Sequence, residues 1–192
     1  MKKLAILLGA ALVAASPSLG AEITGRITQG DGNAVVEVNG QINDGDAEQL
    51  REILHNYREH GIHVSGVRLN SHGGNLRTAY FMADLIEKNG MDSVIGLNAY
   101  CDSACFLLFL AGHHKFVDSS AVIRVHSVAI NGQEGESSEA ATTRMARIFK
   151  RYGAPPSVVT KMVTTPATGL APLTMEECRA MGATVFGHYA NN

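Results

Sequence analysis

The sequence predicts an α/β fold with a mostly parallel sheet flanked by helices. Three observations predict it. Short β-like runs alternate with amphipathic helical stretches, the pattern of βαβ units. The chain is 45% hydrophobic and 18% charged over 192 residues, enough to bury one domain's core and too apolar for a disordered chain. Twenty glycines and three cysteines suit glycine-punctuated turns rather than a disulfide scaffold. The formal net charge of −2 supplies no basic face, so no nucleic-acid partner is expected.

Residues 1–20 read as a signal peptide and 21–192 as a single domain. Lys2 and Lys3 precede the apolar run Leu4 to Ala15, and Ser18-Leu19-Gly20 places small residues for cleavage before Ala21. The run is shorter than the ~20 residues of a membrane span, so none is expected after signal removal. Cleavage removes two of the sixteen basic residues and none of the eighteen acidic ones, which takes the net charge to −4. Export, most simply to a periplasm, is the expected localisation, and disulfides persist there.

Along the mature chain, Ala34 to Val38 reads as a strand. A helix follows, capped by Asp46, with Leu50, Ile53, Leu54 and Tyr57 at helical spacing and Gly61 at its end. Val64 to Leu69 is a second strand. Gly73-Gly74 opens a second helix with the stripe Leu76, Ala79, Tyr80, Ala83 and Ile86, closed by Gly90. Val94 to Leu97 is a third strand, and Cys105 to Ala111 is apolar on every side, hence a buried helix. Ala121 to His126 is a fourth strand. A long helix spans Ser138 to Tyr152, Pro155-Pro156 and Gly169 to Pro172 mark loops, and Thr174 to Glu177 is a capping box for a last helix ending at Gly182.

In such folds sites gather beyond the carboxyl ends of strands. Asn70 to Asn75, Asn98 to Cys105, and His126 onward all fall there. Gly73-Gly74 is either a plain turn or a loop whose free amides bind developing negative charge. Ser103 is either an N-cap or a nucleophile with the Ala104 amide beside it as an oxyanion donor. His126 is either structural or the base for that serine.

The motifs resemble a known family. Val36 to Asn43, Leu69-Asn-Ser-His-Gly-Gly74, Ser103 before a buried helix, Ala111-Gly112, Ile123 to His126 and Leu173 to Gly182 are similar to the proteolytic subunit of Clp proteases. The wider fold is the Clp protease/crotonase-like spiral. The Cys-x-Ser-x-Cys box and the signal peptide bring the chain closer to an exported branch. The resemblance implies Ser103 as nucleophile, His126 as general base, and the Gly74 and Ala104 amides as oxyanion hole. It also implies a homo-oligomer, with the Ser138 to Tyr152 helix projecting or packed at an interface, although the apolar stripe of that helix equally suits intramolecular packing.

Two departures stand out. The family's Ser-Pro-Gly-Gly is here Ser71-His72-Gly73-Gly74, and the family's triad Asp falls in Gly169 to Pro172, where no acid occurs. Losing that group in a trypsin-type triad lowers kcat about 10⁴-fold. Thr164, Thr165 or a backbone carbonyl remain as orienters of His126, and Asp102 and Asp118 as other acids.

Cys101 and Cys105 can form a short disulfide around Ser103, against free thiols or pairing with Cys178. Cys178 otherwise reads as a small buried hydrophobe. No metal site or cofactor is expected, since a zinc site from Cys101, Cys105 and a histidine has poor spacing. His55, His60, His63, His113 and His114 read as surface or loop residues.

The leading expectation is an exported serine hydrolase, a peptidase acting on peptides or proteins. Nothing indicates an ATPase partner. A non-catalytic binding or assembly module is the alternative, and a thioester enzyme of the crotonase kind a distant third.

Overall fold

The computed structural model describes residues 20–28, 32–130 and 132–187. The expected signal peptide, residues 1–20, falls outside these residues apart from Gly20. The main sheet comprises β1 (Glu22–Ile27), β2 (Ala34–Asn39), β3 (Val64–Asn70), β4 (Asp92–Ile95), β6 (Lys115–Asp118) and β9 (Ala183–Phe186), in that spatial order. Every neighbouring pair is parallel except β1 with β2. A second sheet holds β5 (Tyr100–Asp102), β7 (Val122–Val125) and β8 (Ala171–Pro172), with β5 parallel and β8 antiparallel to β7. The helices are α1 (Asp46–Glu59), α2 (Leu76–Lys88), α3 (Ala104–Leu110), α4 (Glu136–Arg151), α5 (Pro156–Thr164) and α6 (Met175–Ala180).

The expected α/β class holds, with corrections of detail. The Ala121 to His126 strand sits in the separate second sheet, not beside the other expected strands. The third strand begins at Asp92, two residues earlier than the apolar run suggested, because half-buried Asp92 and Val94 alternate with fully buried Ser93 and Ile95. Three- and four-residue strands such as β5 and β6 are too short to show a period-2 pattern. Pro155-Pro156 is no mere loop: Pro156 takes the first position of α5, where a missing N–H costs nothing. Tyr80 is exposed, and the buried face of α2 is Thr78, Ala79, Met82, Ala83 and Ile86.

Asp46 does not cap α1; Gly45 precedes the helix and Asp46 turns inward. Its carboxylate accepts the Ala21 N–H at 2.9 Å and the Asn43 N–H at 2.8 Å. The core centres on α3, all seven residues of which are buried. Phe106 meets Phe149 of α4 edge to face at 5.2 Å, so the helix that follows Ser103 is clamped from the far side as well.

A candidate active site at a one-residue strand–helix turn

β5 ends at Asp102 and α3 begins at Ala104, so Ser103 alone makes the turn. It does so at φ 53° and ψ −120°, in the left-handed half of conformational space that L-residues avoid. Its hydroxyl makes no capping hydrogen bond, so the capping reading fails. The conformation is held from both sides. Ser103 N–H donates to Arg124 O of β7 at 2.9 Å. A disulfide joins Cys101 to Cys105 with their Cα atoms 5.2 Å apart, both residues fully buried.

The Gly-Gly segment packs on this turn. The two sheets meet here, where Ser71 N–H donates to Tyr100 O and Asp102 N–H donates to Ser71 O. A Cβ on Gly73 would lie 2.7 Å from Asp102 O and 2.9 Å from Ala104 N, so a side chain there would push the segment off the turn. A Cβ on Gly74, which has φ 140°, would run into the carbonyl of Ile42. Ile42 donates to Gly73 O and accepts from Asn75 N–H, holding Gly74 between two fixed neighbours. Gly74 N–H and Ala104 N–H find no acceptor among the described residues. Amides so placed can donate to an oxygen that gains negative charge.

Gly74, Ser103, Ala104 and His126 line one cavity of about 260 Å³. Its other walls are largely apolar and include Leu76, Val125, Met145, Phe149 and Met162. The structure therefore brings all four predicted site residues to one place. No hydrogen bond joins Ser103 to His126 among the described residues.

His126 Nδ1 lies 2.7 Å from the carbonyl of Ser127. A carbonyl only accepts, so in the neutral ring Nδ1 carries the proton and Nε2 is left as acceptor. Of the orienters considered from the sequence, the backbone carbonyl is in place. Thr164 and Thr165 hydroxyls donate to carbonyls of their own helix, Thr160 O and Lys161 O. Asp118 is engaged by Ser120. Asp102 accepts from Arg124 in bidentate fashion, and His72 Nδ1 lies 2.7 Å from it. His72 is otherwise exposed and rests on the Tyr100 ring.

One acid near His126 escaped the sequence reading. Glu134, in the stretch between β7 and α4, accepts the Ser127 hydroxyl at 2.5 Å and the Ala167 N–H at 2.8 Å. The Ser127 hydroxyl, the Ala167 amide and the nearby His126 hold its carboxyl below the usual range, against a smaller opposing cost of burial. A polar glycine-flanked stretch, Gly132-Gln-Glu-Gly135, carries no pattern that points to Ala167, 33 residues away. The stretch expected to hold the family's acid does lie beside His126, since Ala171 of β8 pairs with Val125.

Cys178 is free and fully buried, and burial pushes its thiol up to about 11. Among the described residues no group of three metal-ligating side chains converges, and no helix is long and apolar enough to cross a membrane.

No protein-family model matches the chain, and no curated protein matches it. Solved structures do. A mutant of ClpP1 from Listeria monocytogenes superposes with TM-score 0.64 at 19% identity, over 80% of this chain and 91% of that one. A mutant of the membrane-bound stomatin-specific protease 1510-N, in complex with a substrate peptide, gives TM-score 0.60 at 14% identity, over 81% and 74%. The resemblance read from the motifs therefore holds for the fold.

Proposed function

We propose that the chain is an exported serine-type peptidase. The observation that carries the reading is the strained Ser103 turn, which lines one cavity with His126 and the two unspent amides of Gly74 and Ala104. Ser103 Oγ attacks a peptide carbonyl and passes its proton to His126 Nε2. The Gly74 and Ala104 amides receive the oxyanion. Collapse breaks the C–N bond, and His126 returns the proton to the leaving amine. Water, deprotonated by His126, then hydrolyses the acyl-serine. The methionine-rich apolar wall favours a substrate with an apolar side chain beside the scissile bond.

The export part of the reading draws support from Ala21. A chain cut before Ala21 would set its new ammonium against the buried Asp46 carboxylate already 2.9 Å from that nitrogen. Assembly into a homo-oligomer belongs to the same proposal, and light scattering of the purified mature chain tests it.

The test of catalysis is labelling by a fluorophosphonate probe in the oxidised protein. The wild type should label and Ser103→Ala should not. No labelling from about pH 6 to 9 overturns the peptidase reading. The lack of a hydrogen bond between Ser103 and His126 among the described residues favours a second reading, a binding module that has kept the fold. Partners retained by both Ser103→Ala and His126→Ala, together with no labelling of the wild type, would establish that one.

A further inference from the structure

The peptidase reading leaves His126 with no carboxylate on its ring, and the surroundings of Ser127 supply a substitute by another route. Ser127 is 7% exposed and is fixed at three points. Its N–H donates to Thr165 O at 2.8 Å, its hydroxyl donates to Glu134 at 2.5 Å, and its carbonyl receives His126 Nδ1 at 2.7 Å. Glu134 also holds Ala167 N–H at 2.8 Å, so one carboxylate ties the strand end bearing His126 to the 165–167 segment. This is the job that an acid in Gly169 to Pro172 would have done by direct contact.

Resting on the peptidase reading, we infer that Glu134 is the positioning residue of the site. It locks Ser127 so that the Ser127 carbonyl holds the His126 ring in its Nδ1–H tautomer. The attraction between Glu134 and His126 agrees with this placement. Charged groups on the elements packed around His126 include Arg124, Lys161 and Glu139. Arg124 on the same strand is held by Asp102, and Lys161 on α5 by Glu177. Glu139 on α4 lines a polar cavity of about 350 Å³ together with Ser127 and Glu134.

Glu134→Gln and Glu134→Ala separate charge from shape. Gln keeps an amide oxygen able to accept from both Ser127 and Ala167, while Ala keeps nothing. Fluorophosphonate labelling of Ser103 is followed from about pH 5 to 9, and the nitrogen-15 resonances of the His126 ring are recorded on the same oxidised samples.

Glu134→Ala should slow labelling about 10- to 100-fold, the scale of a misplaced catalytic group, and should release His126 into mixed tautomers. Glu134→Gln should keep the wild-type rate on the alkaline plateau. It should also keep the His126 ring protonated on Nδ1, because the Ser127 anchor survives in that variant. Wild-type rates and tautomer in Glu134→Ala overturn the inference. Equal slowing in both variants with the tautomer unchanged in both also overturns it, since that is the mark of mere structure.

If the wild type itself does not label, the peptidase reading has failed, and the ring nitrogens alone decide. A His126 protonated on Nδ1 in the wild type and not in Glu134→Ala upholds the positioning role. Protonation on Nε2, or a tautomer indifferent to Glu134, removes it.

Discussion

Ser103 sits at φ 53°, a region that costs an L-residue about 1–3 kcal/mol. Glycine adopts it freely, with a loss of about 0.5–1 kcal/mol from its looser unfolded chain. Ser103→Gly is therefore expected to exceed Ser103→Ala in unfolding free energy by about 1 kcal/mol, while on the peptidase proposal neither variant should react with a fluorophosphonate. Equal urea midpoints for the two would mean that the turn stores no strain. Cys178 makes the opposite case at the same scale. Burial pushes its thiol to about 11, so only about one molecule in a thousand is thiolate at pH 8. Iodoacetamide should leave the native oxidised protein unmodified and add one group per chain in denaturant. Ready alkylation of the native protein would contradict that burial.

At the scale of elements, α6 shows local chemistry legible in sequence. Thr174 and Glu177 form the expected capping box, with Glu177 N–H donating to the Thr174 hydroxyl and Thr174 N–H to the Glu177 carboxylate. Lys161 of α5 completes the cluster at 2.8 Å. Burial opposes ionisation of Glu177, but the Lys161 ammonium and the Thr174 amide outweigh it and bring the carboxyl below its ordinary 4.5. A carboxyl lowered in the folded state stabilises it fully above the unfolded value, and the gain is lost as pH falls through the lowered one. Wild-type unfolding free energy should thus drop on acidification below about pH 4.5 more than that of Glu177→Gln. Parallel pH curves for the two proteins would dismiss the contribution.

The Ser103 turn was legible for a different reason. A lone serine before seven buried apolar residues marks a strand-to-helix junction whatever the rest of the chain does. Glu134 was not legible, because its roles depend on Ala167, which only the folding of α4 and α5 brings near. Nor were β5 and β6, whose pairing is fixed by neighbouring strands rather than by their own residues.

At the scale of the whole molecule, the first strand and the candidate site are joined by a short covalent and hydrogen-bonded path. Asp46 is 4% exposed and holds Ala21 N–H and Asn43 N–H. Ile42, next to Asn43, donates to Gly73 O, accepts from Asn75 N–H and forms the wall against which Gly74 rests. A buried carboxylate thus ties the start of β1 to the segment carrying one of the two proposed oxyanion donors. Asp46→Ala leaves the Ala21 nitrogen and the Asn43 amide without their acceptor, a loss of about 3 kcal/mol at 1–3 kcal/mol for each orphaned group. The same substitution frees the Asn43 end of the path, so Gly74 loses its fixed distance from Ala104. Asp46→Ala should therefore lower the urea midpoint and also slow Ser103 labelling under conditions where the protein remains fully folded. Asp46→Asn, which keeps one accepting oxygen, should fall between. A destabilised Asp46→Ala protein that labels at the wild-type rate would confine Asp46 to holding the fold and cut the path at Ile42.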